Sequence, residues 1–202
     1  KDKVAICGYH GWHDWYLAAN LNNKEGLDGL LLPGLEPAGV PKELAGTCLP
    51  FHYGKIEELE SIVKLNPDLG VICIEVQRGG SVDLEFLSAV RRIADEIRAV
   101  LIFDEISSGF RMSVGGIYKN YGLEPDMVIL GKALGNGFGI SAVLGKKEVM
   151  QATQKSFISS SYWTERTGYV AALATIKQFE ERNVIAYLSD IATYLREAFK
   201  KH

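Results

Sequence analysis

Short apolar runs alternate along the chain with longer stretches in which apolar residues recur every three or four positions. Residues 3–7 form one such run, stopped at Gly8 as a buried strand would be. Ile56, Leu59, Ile62 and Val63 fall on one helical face and predict an amphipathic helix over 56–65. The β-branched run 71–76 predicts a buried strand, 84–97 returns to helical spacing, and 100–103 is again a short apolar strand, closed by Asp104. Strands follow at 127–130 and 140–144, then a short helix at 146–152 and helical spacing over 167–179 and 184–199. Between about 22 and 54, glycines and prolines interrupt scattered polar residues with no sustained period. That pattern predicts a long surface excursion, and loops of such length are usually functional. Strands alternating with helices predict an α/β fold of three layers, α/β/α, around a mostly parallel sheet, where polar residues at strand ends face a ligand crevice. Asp104 and Lys132 both occupy such positions.

Composition narrows the partners. The formal net charge of −3 comes from 22 basic and 25 acidic residues with no long single-sign run, which gives no footprint for nucleic acid or an anionic membrane and points to a small molecule. No apolar stretch approaches the roughly 18 residues of a membrane span, and the start has no signal-peptide core, so the expected compartment is the cytoplasm. Cys7, Cys48 and Cys73 are far apart, with no C-x-x-C pair, which argues against a disulfide framework or a zinc site. Cys7 and Cys73, set in apolar runs, read as buried thiols of a reducing compartment. The chain opens without Met on a strand-like run and closes on Lys200-Lys201-His202, and so reads as cut at both ends.

Two places can carry chemistry. The strand Ile102-Phe103 delivers Asp104 and Glu105 at its carboxyl end. Asp104 is open to several roles there: metal ligand, general base, partner of a protonated ring nitrogen, or a plain helix cap. The second place is Gly131-Lys132-Ala133-Leu134-Gly135, with more glycines at 137 and 139. The order G-x-x-x-x-G-K-[ST] of a nucleotide loop is absent, since the lysine precedes most of the glycines. A tight turn would account for the glycines alone. A lysine in flexible, partly desolvated backbone also suits a cofactor aldehyde. An acid at one strand end with a lysine after the next strand is the partner set that pyridoxal phosphate requires.

Three segments, Tyr9-His10-Gly11-Trp12-His13-Asp14, Ile102 through Arg111 (Ile-Phe-Asp-Glu-Ile-Ser-Ser-Gly-Phe-Arg), and Pro125 through Gly137 (Pro-Asp-Met-Val-Ile-Leu-Gly-Lys-Ala-Leu-Gly-Asn-Gly), resemble three consecutive signatures of the class-III aminotransferases. Within that family the chain is most similar to the glutamate-1-semialdehyde aminomutase branch. The resemblance implies the large domain of the fold-type-I pyridoxal-phosphate enzymes. It also implies amino-group transfer on a small amine or amino acid, as an aminotransferase or as an intramolecular aminomutase. By the same resemblance Lys132 forms the Schiff base and then moves the proton, and Asp104 pairs with the pyridine nitrogen. Ile106 packs on one face of the ring and Tyr9 stacks on the other. Glu75 matches a family glutamate near the cofactor. Ser161, in Ser159-Ser160-Ser161-Tyr162-Trp163-Thr164-Glu165, stands where the family has a threonine that binds the phosphate of the neighbouring subunit's cofactor, which implies a homodimer with shared active sites.

The chain departs from the family after Glu75. Where a Glu-Pro pair and a short loop are usual, it reads Glu75-Val76-Gln77-Arg78-Gly79-Gly80, which leaves Glu75 and Gln77 as second-tier candidates. His10 and His13 read as packed or hydrogen-bonded residues, and two histidines make a weak metal site. The family's phosphate-cradling loop would precede Lys1 and its small C-terminal domain would follow His202. The segment 1–202 is therefore expected to be the central cofactor-binding part. A decarboxylase or racemase on the same scaffold, or a catalytically incompetent homologue, are the other readings. The exposed aromatic loop 9–16 and the run 161–163 are expected to supply interface side chains.

Overall fold

The computed structural model describes residues 1–77 and 79–200; Arg78 of the departing loop and the terminal Lys201 and His202 lie outside the described residues. The elements in order are β1 (Lys3–Cys7), α1 (Asp14–Leu17), α2 (Ala19–Asn22), β2 (Cys48–Pro50), α3 (Ile56–Leu65), β3 (Leu69–Glu75), α4 (Leu84–Ile97), β4 (Val100–Asp104), β5 (Met127–Leu130), β6 (Ala142–Gly145), α5 (Lys147–Met150), α6 (Thr167–Arg182) and α7 (Val184–Phe199). Short 3-10 turns lie between several of them. The strand order is β2-β1-β3-β4-β5-β6. Every pairing among β1, β2, β3 and β4 is parallel. The α/β fold with a mostly parallel sheet is thus as the alternation predicts.

The chain divides into two compact units, Lys1–Asp104 with Leu123–Met127, and Glu105–Gly122 with Val128–His202. In the first unit the register sets Cys73 beside Ile6 and Ile102, and Glu75 beside Asp104. Side chains alternate across a strand, so Ile6, Cys73, Ile102, Glu75 and Asp104 share one face. On that face Ile6 and Cys73 join Tyr16, Ala19, Leu27, Leu30 and Cys48 in one buried cluster. The opposite face carries Ile72, Ile74, Leu101 and Phe103, none of them accessible. Against β3 and β4 lies α4, which buries Phe86, Leu87, Val90, Ile93 and Ala94. Its start is fixed by Asp83, whose side chain accepts from the Phe86 amide, and its end by Arg98 in the left-handed region.

The excursion over 22–54 is not wholly irregular. Cys48–Pro50 forms β2 on the outer edge of β1, with Val4 opposite Cys48. Three residues ending in proline, inside a glycine-rich stretch, give no periodic signal; an edge position is also where proline is tolerated. Further along, the Tyr53 hydroxyl donates to the Val76 carbonyl at 3.0 Å and accepts from the Asp83 amide at 3.1 Å, so the loop between β3 and α4 is clasped at both ends.

In the second unit α6 and α7 are each 16 residues long and meet at Asn183, which adopts φ 49° and ψ 45°. Asparagine tolerates that left-handed geometry better than most residues. Among the described residues no helix is long and apolar enough to cross a membrane.

Candidate functional site

At the carboxyl ends of β1, β3 and β4 the first unit gathers four of the polar and aromatic residues that the sequence singles out. Gly8 closes β1 with φ +123°, a conformation that side chains rarely adopt. A Cβ there would lie 2.5 Å from Glu75 Oε2. Only glycine lets the Glu75 carboxylate close over the turn, and Oε2 then accepts from the Tyr9 amide at 3.1 Å. Glu75 is thus a buried brace for the loop that carries Tyr9 and His10. The Tyr16 hydroxyl donates to the Gly8 carbonyl at 2.8 Å and reinforces the same turn. Tyr9 is half-buried, with its ring edge-on to Trp12 and Tyr16 at 6.0 and 5.8 Å. The run 9–16 is not uniformly exposed: Tyr16 is fully buried in the core, whereas Trp12 is 59% exposed.

His10 is the residue whose weight the sequence does not convey. Its Nδ1 lies 2.8 Å from Asp104 Oδ2, and both side chains are only 5% exposed. Nε2 is buried and has no hydrogen-bond partner among the described residues. A proton on Nδ1, donated to Asp104, fits the 2.8 Å contact. Cys73 Sγ sits 3.6 Å from His10 Nδ1. Burial and the nearby Asp104 carboxylate push the Cys73 thiol well above its ordinary value, so it is no thiolate nucleophile. His13 plays a different part: it caps α1, accepting from the Tyr16 amide, and stacks on Trp15. Gln77 is used locally, donating to the Gly80 carbonyl at 2.5 Å.

The second unit holds the other candidates. Lys132 adopts φ 45°, a left-handed conformation in a residue that is not glycine. Such geometry costs about 1 kcal/mol or more and clusters at functional sites. Its Nζ donates to Ser107 Oγ at 2.5 Å. Gly131, just before it, is extended and packs on Ile106: a Cβ there would be 3.6 Å from both Ile106 γ carbons. Ile106 and Lys132 are therefore close neighbours. Glu105 is fully buried and serves the loop that follows β4. Its carboxylate accepts from the Ser108 hydroxyl and from the Tyr118 amide, and its carbonyl accepts from the Gly109 amide. Asp104 and Glu105, adjacent in sequence, therefore have separate duties. Ser161 is exposed in the loop before α6, flanked by Tyr162 at 77% and Trp163 at 59% exposure.

Among the described residues no group of three or more His, Cys, Asp or Glu side chains is placed to hold a metal ion. The chemistry available is a buried carboxylate held by an imidazole, and a primary amine held by a hydroxyl. Ser107 lies within the motif 102–111 yet carries no spacing signal of its own, and only its bond to Lys132 marks it.

Comparison with known proteins gives a consistent outcome. Residues 50–202 match the family described as Aminotransferase class-III. The chain is 35% identical over 193 residues to a 3-aminobutyryl-CoA aminotransferase of Cloacimonas acidaminovorans, covering 92% of this chain and 42% of that protein. It is 33% identical over 201 residues to a glutamate-1-semialdehyde 2,1-aminomutase of Ignicoccus hospitalis, covering 96% of this chain and 46% of that protein. The chain thus spans less than half the length of these curated relatives. A solved transaminase with PLP bound superposes with a TM-score of 0.73 at 25% identity, covering 87% of this chain and 43% of that one.

Proposed function

Because the chain belongs to the class-III aminotransferase family, we propose that it is the cofactor-holding part of an enzyme that moves an amino group between small amine and carbonyl compounds with pyridoxal phosphate. The observation that carries this reading is the buried pair His10 and Asp104 at the end of β4. A carboxylate kept out of water and held by an imidazole suits a protonated ring nitrogen, and the amine of Lys132 suits an aldehyde. The donor set fits the cofactor.

When bound, pyridoxal phosphate supplies an aldehyde carbon for covalent attachment and a ring that takes up electron density released at a substrate carbon. Lys132 would hold it through Nζ, and the same atom would serve as the base that moves a proton. Asp104 would pair with the ring nitrogen and favour its protonated form, while His10 Nδ1 orients the carboxylate. Tyr9 and Ile106 would pack on the ring, and Glu75, which braces the Tyr9 loop, would stand near the cofactor. In a symmetric homodimer Ser161 would donate to the phosphate held by a second copy; the exposed Trp12, Tyr162 and Trp163 support such an interface. The three free, buried cysteines support a reducing, cytoplasmic setting.

The test is covalent. The chain is incubated with pyridoxal phosphate, reduced with borohydride and mapped by peptide mass spectrometry. The expected mass increment sits on Lys132 in preference to every other lysine, and Lys132→Ala abolishes it. Labelling spread evenly over the surface lysines would refute the assignment.

A further inference from the structure

We propose that Ser107 is a positioning residue that holds the Lys132 amine in its working orientation; the inference rests on the reading of Lys132 as the cofactor's attachment point. Two independent constraints meet at this lysine. Its backbone is left-handed, which sets the direction in which the side chain leaves the chain. Its far end is tied, with Nζ donating to Ser107 Oγ at 2.5 Å. An exposed lysine on a four-carbon stem normally samples many rotamers, and this one is held at both ends.

Of the two partners, the serine is the fixed one. Ser107 lies between Ile106, which packs on Gly131, and Ser108, whose hydroxyl donates to the buried Glu105 carboxylate. The turn is closed by the Gly109 amide on the Glu105 carbonyl at 2.7 Å, and Glu105 also accepts from the Tyr118 amide. With no exposure at all, Glu105 roots the turn in the protein interior. Ser107 is thus a rigid acceptor and Lys132 a mobile donor, so their hydrogen bond restrains the amine. The hydroxyl can release the amine without any backbone movement, since the bond involves only side-chain atoms.

The test uses the full chain with Ser107→Ala and Ser107→Thr. The first readout needs no cofactor: trace acetylation, with the rate at Lys132 measured by mass spectrometry against Lys147 and Lys177 of the same molecule. Losing one hydrogen bond of this kind is worth a factor of about three to ten. Ser107→Ala is expected to raise Lys132 acetylation by that factor, leaving the two reference lysines and the circular dichroism unchanged. Ser107→Thr, which keeps the hydroxyl, is expected to return it to the wild-type value. The second readout is the rate of borohydride-trapped capture of pyridoxal phosphate at Lys132, expected to fall by a similar factor in Ser107→Ala and to recover in Ser107→Thr. Equal acetylation of Lys132 in all three proteins, or failure of threonine to restore it, overturns the positioning role. Absence of capture at Lys132 in the wild type overturns the cofactor assignment instead, and the acetylation arm still decides whether Ser107 holds the amine.

Discussion

Replacing His10 by alanine removes the donor from a carboxylate that is 5% exposed, and the size of the loss follows from the geometry. Breaking a buried ion pair costs roughly 3–5 kcal/mol, because a charge is left alone. The 2.8 Å contact between Nδ1 and Oδ2 supports the smaller figure of a hydrogen bond to a charged acceptor, about 1.5–3 kcal/mol. Asp104 has further interactions, which places the expectation near the lower end. The cavity left by the ring adds its own cost, so the single variant does not isolate the bond. A double-mutant cycle does. Urea unfolding of wild type, His10→Ala, Asp104→Ala and the double variant is expected to give a coupling energy of about 1.5 kcal/mol, since the cavity term cancels between the two legs. The same His10→Ala protein is expected to retain pyridoxal phosphate less well, read from its visible absorbance on dilution. A coupling energy within about 0.5 kcal/mol of zero, the range shown by independent sites, would refute the claim that His10 acts on Asp104.

Gly8→Ala is expected to destabilise the protein by about 1–3 kcal/mol, because the position is left-handed and the new Cβ would meet Glu75 Oε2 at 2.5 Å; Glu75→Ala should remove the clash and recover part of the loss in urea melts. Burial pushes the Cys48 thiol up to about 12 from 9.0. Native protein should therefore resist iodoacetamide at pH 8 and react only when unfolded, as followed by intact mass. The same shift has a sign for stability. The folded state holds the thiol proton more tightly, so the contribution is complete below pH 9 and is lost as pH rises toward 12; Cys48→Ala should flatten that part of an alkaline unfolding curve.

Much of the architecture is legible because local pattern and tertiary demand coincide. The runs that become β3 and β4 are buried on both faces and read as continuous apolar stretches, and α4 announces itself by the helical spacing of its apolar residues. β2 is hidden because an edge strand of three residues, held only by β1, needs no pattern of its own. Tyr16 looks like one more aromatic of an exposed loop. It is buried because its hydroxyl finds the Gly8 carbonyl, a partner eight residues away that no helical or strand period marks. At the site, Asp104 and Lys132 stand out by their place after strands. His10 and Asp104 are 94 positions apart, and only the parallel register of β1, β3 and β4 makes them neighbours. Ser107 escapes notice for a related reason: its partner is 25 positions away, beyond β5.

The clasp that Tyr53 makes on Val76 and Asp83 has a use outside catalysis. Both ends of the intervening loop are tied to one phenol, and Glu75, just before it, braces the Tyr9 amide. Sequence inserted between Gly79 and Gly80, both exposed, would enter between two points that the Tyr53 hydroxyl holds. The position offers a permissive graft point where an epitope, a fluorophore-bearing peptide or a surface-attachment tag could be spliced in while the carboxylate at 104 stays where β4 sets it.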